Sequence, residues 1–254
     1  MKLRSLLCLP VALAVLSGAA AAEPLTLLED YAGDTVILYN EDDPAAGQYE
    51  YTYRFPRVEE NVDGADLINS YYEYSVKDLE DFTIPINASY YKDQGISSRT
   101  DVTYTVTCNS DEYFSILIST KETVSSLGFE SESFSGNVFS RKEVKANATC
   151  SLAQLIGKLS YSENDEWLQK RQTEMAEKLI REMVWERISG GSDGIKYYPD
   201  LRKEDLELIF KPDSAFYLDE NGDPVFYLQP GDAAPQSFGL ITFPIPLDDI
   251  LDEL

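Results

Sequence analysis

Ala215-Phe216-Tyr217-Leu218-Asp219-Glu220-Asn221-Gly222-Asp223-Pro224-Val225-Phe226-Tyr227-Leu228 is the stretch whose reading decides the fold. Two runs dense in aromatic and β-favouring residues flank Asn221-Gly222, and that dipeptide between such runs is a strong hairpin signal. Downstream come Gln229-Pro230-Gly231-Asp232-Ala233-Ala234-Pro235, a further extended run over 238–246, and an acidic helical tail.

Upstream of the hairpin, residues 165–188 carry Trp167, Leu168, Met175, Leu179, Ile180, Met183, Val184 and Trp185 at helical spacing, and Gly190-Gly191 stops the pattern. Residues 199–209 read as a second, shorter helix with Asp200 as its cap. Runs over 98–108, 113–120 and 137–144 suggest an antiparallel meander, with turns at Asn109-Ser110-Asp111 and Ser135-Gly136-Asn137. Tyr49, Tyr51, Tyr53 and Phe55 alternate on one face of a half-buried strand that Pro56 ends. A helix follows over 63–76, with Asp63 as a possible N-cap and Leu67, Ile68, Tyr71 and Tyr72 at helical spacing. Residues 23–47 read as an acidic leader with at most one strand, at Thr35-Val36-Ile37-Leu38-Tyr39. The order of elements lacks regular βαβ alternation. It predicts an α+β fold, an antiparallel sheet with one long and two or three short helices packed on it.

Lys2 and Arg4, the apolar stretch to Leu16 and Ala20-Ala21-Ala22 have the form of a secretory signal over 1–22. Its apolar core is too short to span a bilayer, and no membrane insertion is expected. Loss of Lys2 and Arg4 would take the net charge from -24 to -26. Such a surface repels nucleic acid and attracts basic proteins. In an oxidising compartment the remaining Cys108 and Cys150 are expected to pair, closing a loop of roughly 40 residues and adding about 4 kcal/mol. There is no histidine anywhere. That removes Ser-His-Asp and Cys-His catalysis and every His-containing metal site. No cofactor, metal site or catalytic residue is expected.

Asp219-Glu220-Asn221-Gly222-Asp223 starts like an EF-hand loop, but Pro224 and Pro230 stand where that loop needs Gly and Glu. A polar turn explains the same residues. Tyrosine suits recognition surfaces, and the aromatics nearest the hairpin, Tyr217, Phe226, Tyr227 and Phe238, are the candidate ligand-binding residues. The loop 229–236 is the natural place for a groove beside the sheet.

The block from about 212 to 247 resembles the extracytoplasmic domain family shared by the anti-sigma factor RsiV and the peptidoglycan deacetylase PdaC. Tyr49-Glu50-Tyr51-Thr52-Tyr53-Arg54-Phe55-Pro56 followed by Leu67-Ile68-Asn69 is similar to the opening of that family, and Leu152-Ala153-Gln154-Leu155-Ile156 to its short junction helix. The resemblance implies an N-terminal PdaC-like half over 23–149 and a C-terminal RsiV-like half over 150–254. It also implies a module of the bacterial cell envelope. The expected function is non-catalytic binding in the secreted or periplasmic space, with a cell-wall glycan or peptide, or a basic protein such as lysozyme, as partner. A carboxylate-dependent hydrolase of wall glycans is the alternative.

Overall fold

Tyr49, Tyr51, Tyr53 and Phe55 are all buried on one face of β2 (Gln48–Phe55), as the period of a strand requires. The computed structural model describes residues 23–125, 128–142, 149–156, 166–191 and 193–254. The expected signal over 1–22 lies outside the described residues, as do the side chains of Trp167 and Leu168. β2 pairs antiparallel with β1 (Tyr31–Leu38) and parallel with β3 (Ser98–Asn109). β3, β4 (Tyr113–Val124) and β5 (Phe129–Ser140) continue as an antiparallel meander, so the sheet runs β1-β2-β3-β4-β5. The one parallel step departs from the antiparallel expectation. It needs a long crossover, and a helical rod supplies it.

That rod is α1 (Ala65–Asp78) and α2 (Ile84–Gln94), joined without a break by a π turn at Leu79–Thr83. The sequence pattern ended at 76 and left the rest unassigned. Pro85 accounts for the difference. It has no N–H to donate, and its ring crowds the carbonyl four residues back, at Asp81. The backbone widens instead of stopping, and Ile84 N–H bonds the Leu79 carbonyl. Asp63 does not cap the rod. The preceding residue is Gly64 at φ 82, and Asp63 offers its backbone carbonyl to Arg141.

The rod covers the tyrosine face of the sheet. Ile68, Tyr72, Ile84 and Ala88 pack there with Val102, Phe114, Ile116 and Phe139. The opposite face is divided. At one end Cys108, Ser115 and Val138 line up across β3, β4 and β5, and this row is buried under the second half of the chain. At the other end Asp34, Val36, Arg54, Arg99 and Lys121 are exposed.

In the second half, α3 (Leu152–Ile156), α4 (Glu166–Gly190), α5 (Leu206–Ile209) and α6 (Leu247–Glu253) surround a sheet β6-β7-β8, made of Phe216–Leu218, Pro224–Leu228 and Ile241–Pro244. Ala176, Ile180, Val184 and Ile188 of α4 give the buried stripe, whereas Met175 is exposed. The helix expected over 199–209 is one turn of 3-10 helix and α5. It starts where Asp205 accepts the Arg202 N–H, not at Asp200. Phe238 lies in a 3-10 turn before β8, not in the strand expected from 238.

The hairpin at Asn221-Gly222 is present with a different turn. Asp219 N–H bonds the Asp223 carbonyl, Gly222 N–H bonds the Asp219 carbonyl, and Gly222 has φ 86. This is a three-residue loop ending on a left-handed glycine rather than a two-residue mirror turn. The Asp219 carboxylate accepts the N–H groups of Asn221 and Asp223, so the acidic turn is held by its own side chain.

Two expectations need correction. Gly136 is not in a turn but in the middle of β5, directly under β6: a Cβ there would stand 1.9 Å from the Phe216 carbonyl oxygen. The disulfide is absent: Cys108 and Cys150 are not joined. Cys108 is on β3, and Cys150 bonds through its N–H to Val138 on β5, so β4 and β5 lie between them. Two or more strand spacings of about 4.8 Å exceed the ~7 Å that a disulfide bridges.

Candidate functional site

The four aromatic residues singled out from the sequence do not form one surface. Phe226 is fully buried, in contact with the rings of Phe210 and Phe216, and has no face left for a ligand. Tyr227 is also buried. Its hydroxyl accepts the Gly136 N–H at 3.0 Å, which docks β7 on the large sheet, and burial pushes its pKa up. Tyr217 is half-buried and stacks on Tyr227, with centroids 6.3 Å apart. Phe238 is exposed on the loop before β8. The hairpin is a seam between the two sheets.

The loop beyond it does form a groove. A cavity of about 490 Å³ lies between the outer ends of β3, β4 and β5 and the loop following β7. Asp101, Lys121, Glu122, Thr123 and 130–132 contribute the sheet side, and Pro230, Gln236 and Ser237 the loop side. Strand register is what assembles it: Asp101 is opposite Lys121, and Lys121 is opposite Glu132. These positions are polar because the second half of the chain covers only the other end of this sheet face.

Both walls are fixed. Gln229 accepts the Phe134 N–H at 2.8 Å and donates to the Phe134 carbonyl at 2.7 Å, imitating a strand partner at the edge of β5. Gln236 donates to the Glu130 carbonyl at 3.1 Å. Ala233 and Ala234 are buried and anchor the loop between these glutamines. On the sheet side, Arg99 holds Asp101 through two hydrogen bonds of 2.8 Å, and Thr52 donates to the same carboxylate. The Arg99 hydrogen bonds hold the Asp101 carboxyl below its usual range. Lys121 reaches Glu132 at 3.5 Å, and Ser119 donates to Glu132 at 2.7 Å. Tyr91 donates to Glu122. Burial, with Glu122 beside it, raises the Tyr91 phenol to about 12.

Asp101, Glu130 and Glu132 therefore set three carboxylates beside Lys121 on the groove face of the sheet, whereas the Glu122 side chain is on the opposite face, where Tyr91 holds it. Such a lining favours cations and disfavours phosphates or other anions. Among the described residues no group of His, Cys, Asp and Glu is arranged to hold a metal, and no helix is long and apolar enough to cross a membrane.

Residues 164–248 match the model of DUF3298, a protein family of unknown function. The DUF3298 segment takes in α4, the hairpin, the groove loop and β8, but not the β3–β5 side of the groove. Two solved structures are similar over nearly the whole chain. One is a DUF3298 family member from Bacteroides fragilis, at 12% identity and TM-score 0.55, covering 88% of this chain and 91% of that one. The other is a DUF3298 family protein from Pseudomonas aeruginosa, at 13% identity and TM-score 0.50, covering 90% and 94%. At such identities the likeness is one of fold alone. No curated protein sequence matches this chain.

Sequence reasoning reached the loop side of the groove and missed the sheet side. Asp101, Lys121, Glu130 and Glu132 are far apart in sequence, and only the register joins them. The available signal was charge at alternating positions, Arg99 and Asp101, then Glu130 and Glu132. It extends two strands past their apolar centres.

Proposed function

We propose that this chain is a secreted, non-catalytic binding module of the bacterial cell envelope, and that its groove receives a cationic protein. The observation that carries the reading is the acidic groove itself, with walls held by Gln229, Gln236 and Arg99 before any ligand arrives. A preformed site loses less entropy on binding. The resemblance to the RsiV/PdaC-like extracytoplasmic family and the signal-like segment 1–22 support the envelope setting. The net charge of -24 favours a basic protein over a neutral wall glycan.

The hydrolase alternative finds less support. A glycosidase needs one carboxyl kept protonated opposite one kept ionised. Asp101 is held ionised in the groove, and the carboxyls that burial raises, Asp213 and Asp232, are outside its lining. Asp213 accepts the Leu152 N–H at the start of α3, which is a structural task.

Calorimetry with egg-white lysozyme as the cationic probe, and with purified peptidoglycan, at two salt concentrations tests the proposal. Lysozyme is expected to bind at low salt and to weaken as salt rises. Replacing Glu130 and Glu132 together by Gln is expected to weaken binding about tenfold and to flatten its salt dependence. Absence of binding to either probe at low salt would overturn the reading. Reducing-end release from cell walls would favour the hydrolase instead.

A further inference from the structure

The outer face of the helical rod presents a second feature, unrelated to the groove. Tyr74, Phe82, Ile86 and Tyr90 are 72%, 59%, 64% and 60% exposed. Large apolar side chains in a row on a solvent face are uncommon, and contiguous patches of them mark interaction sites. The backbone keeps this row together. Tyr74, Asp78, Phe82, Ile86 and Tyr90 are spaced by four residues. On an unbroken α-helix each such step overshoots a full turn by about 40°, and the row would wind through roughly 160° between Tyr74 and Tyr90. The π turn at Leu79–Thr83 takes up most of one residue's rotation, so the row stays within roughly 70°. Pro85 thus has a consequence at the surface as well as within the rod.

The charges beside the row decide what fits it. Asp78 interrupts it, and Glu73, Asp81 and Asp93 are exposed on the same rod, so these four acids stand against two exposed lysines, Lys77 and Lys92. A second copy of this chain would set Asp78 and Asp81 against their own kind, and an anionic membrane would meet the same repulsion. An occupant with an apolar stripe and flanking lysines or arginines satisfies both features. Ridges spaced by four residues interlock with those of another helix, and an amphipathic helix presents an apolar face of matching form.

We propose that the outer face of α1 and α2 is a docking surface for a cationic amphipathic helix. The surface goes beyond the groove reading and does not depend on it.

The test uses a leucine–lysine peptide with apolar residues at helical spacing, and an isomer of the same composition with that order shuffled. Titration of the full chain is expected to show the helical peptide binding at least about tenfold tighter than the isomer, with a helical circular dichroism signal gained on binding. Phe82→Ser with Ile86→Ser should erase that preference. These side chains are exposed, so an unchanged thermal melt is expected. Tyr74→Ser with Tyr90→Ser provides an independent pair. Asp78→Asn with Asp81→Asn should weaken the peptide and flatten its salt dependence, whereas Glu130→Gln with Glu132→Gln should leave the preference intact. Equal binding of the two peptides would overturn the proposal, since charge alone would then explain the affinity. A preference that survives both stripe pairs would do the same. So would a dimer in light scattering that Phe82→Ser dissolves, or capture by anionic vesicles without peptide.

Discussion

Phe226→Ala is expected to destabilise the protein by about 3–5 kcal/mol and to lower the Tm by on the order of 10 °C. The ring is fully buried, meets Phe210 edge-on with centroids 6.2 Å apart, and lies 6.0 Å from Phe216. Its loss leaves a cavity where β6, β7 and the segment after α5 meet, and a backbone paired on both sides of β7 has little freedom to collapse into it. Chemical denaturation of the variant and wild type checks this. Affinity for the cationic probe, measured where the variant remains folded, should change little. A large loss of affinity with unchanged stability would instead make Phe226 a ligand contact.

Gly136→Ala is the second large effect, and its sign discriminates. On propensity alone, alanine in a strand interior should gain roughly 0.5–1 kcal/mol over glycine. The packing argues the opposite. The new methyl group would stand 1.9 Å from the Phe216 carbonyl oxygen and 2.8 Å from its carbon, both backbone atoms. Relief requires moving β6 away from β5, which also strains the bond from Gly136 N–H to the Tyr227 hydroxyl. The clash wins, and the expected cost is about 3 kcal/mol, read from a denaturant midpoint at unchanged m-value. Stabilisation by this substitution would mean that the two sheets are not seated on each other as described.

These two residues show where sequence reading works and where it stops. The alternation of Tyr49, Tyr51, Tyr53 and Phe55 was legible because one face of β2 is buried along its whole length, so period and burial coincide. The hairpin was legible from its glycine turn. Aromatic density around it was not a guide to exposure: Phe226 and Tyr227 are adjacent, point to opposite faces of β7, and are both buried because both faces are covered. Gly136 resembled a turn glycine since its neighbours are Ser135 and Asn137. Its role depends on β6, some 80 residues later, and no local pattern encodes that. The rod beyond 76 was hidden by Pro85, which usually ends a helix and here only widens one. The groove was half legible. Its loop has the proline and glycine of a functional connection, but its sheet side exists only through cross-strand register.

The most direct measurement is an NMR titration of the isotope-labelled protein with egg-white lysozyme at low salt, following backbone amide shifts residue by residue. The account predicts shifts concentrated at Asp101, Lys121, residues 130–132 and 229–237. Shifts confined to the hairpin at 217–227, or none at all with the probe in excess, would contradict it.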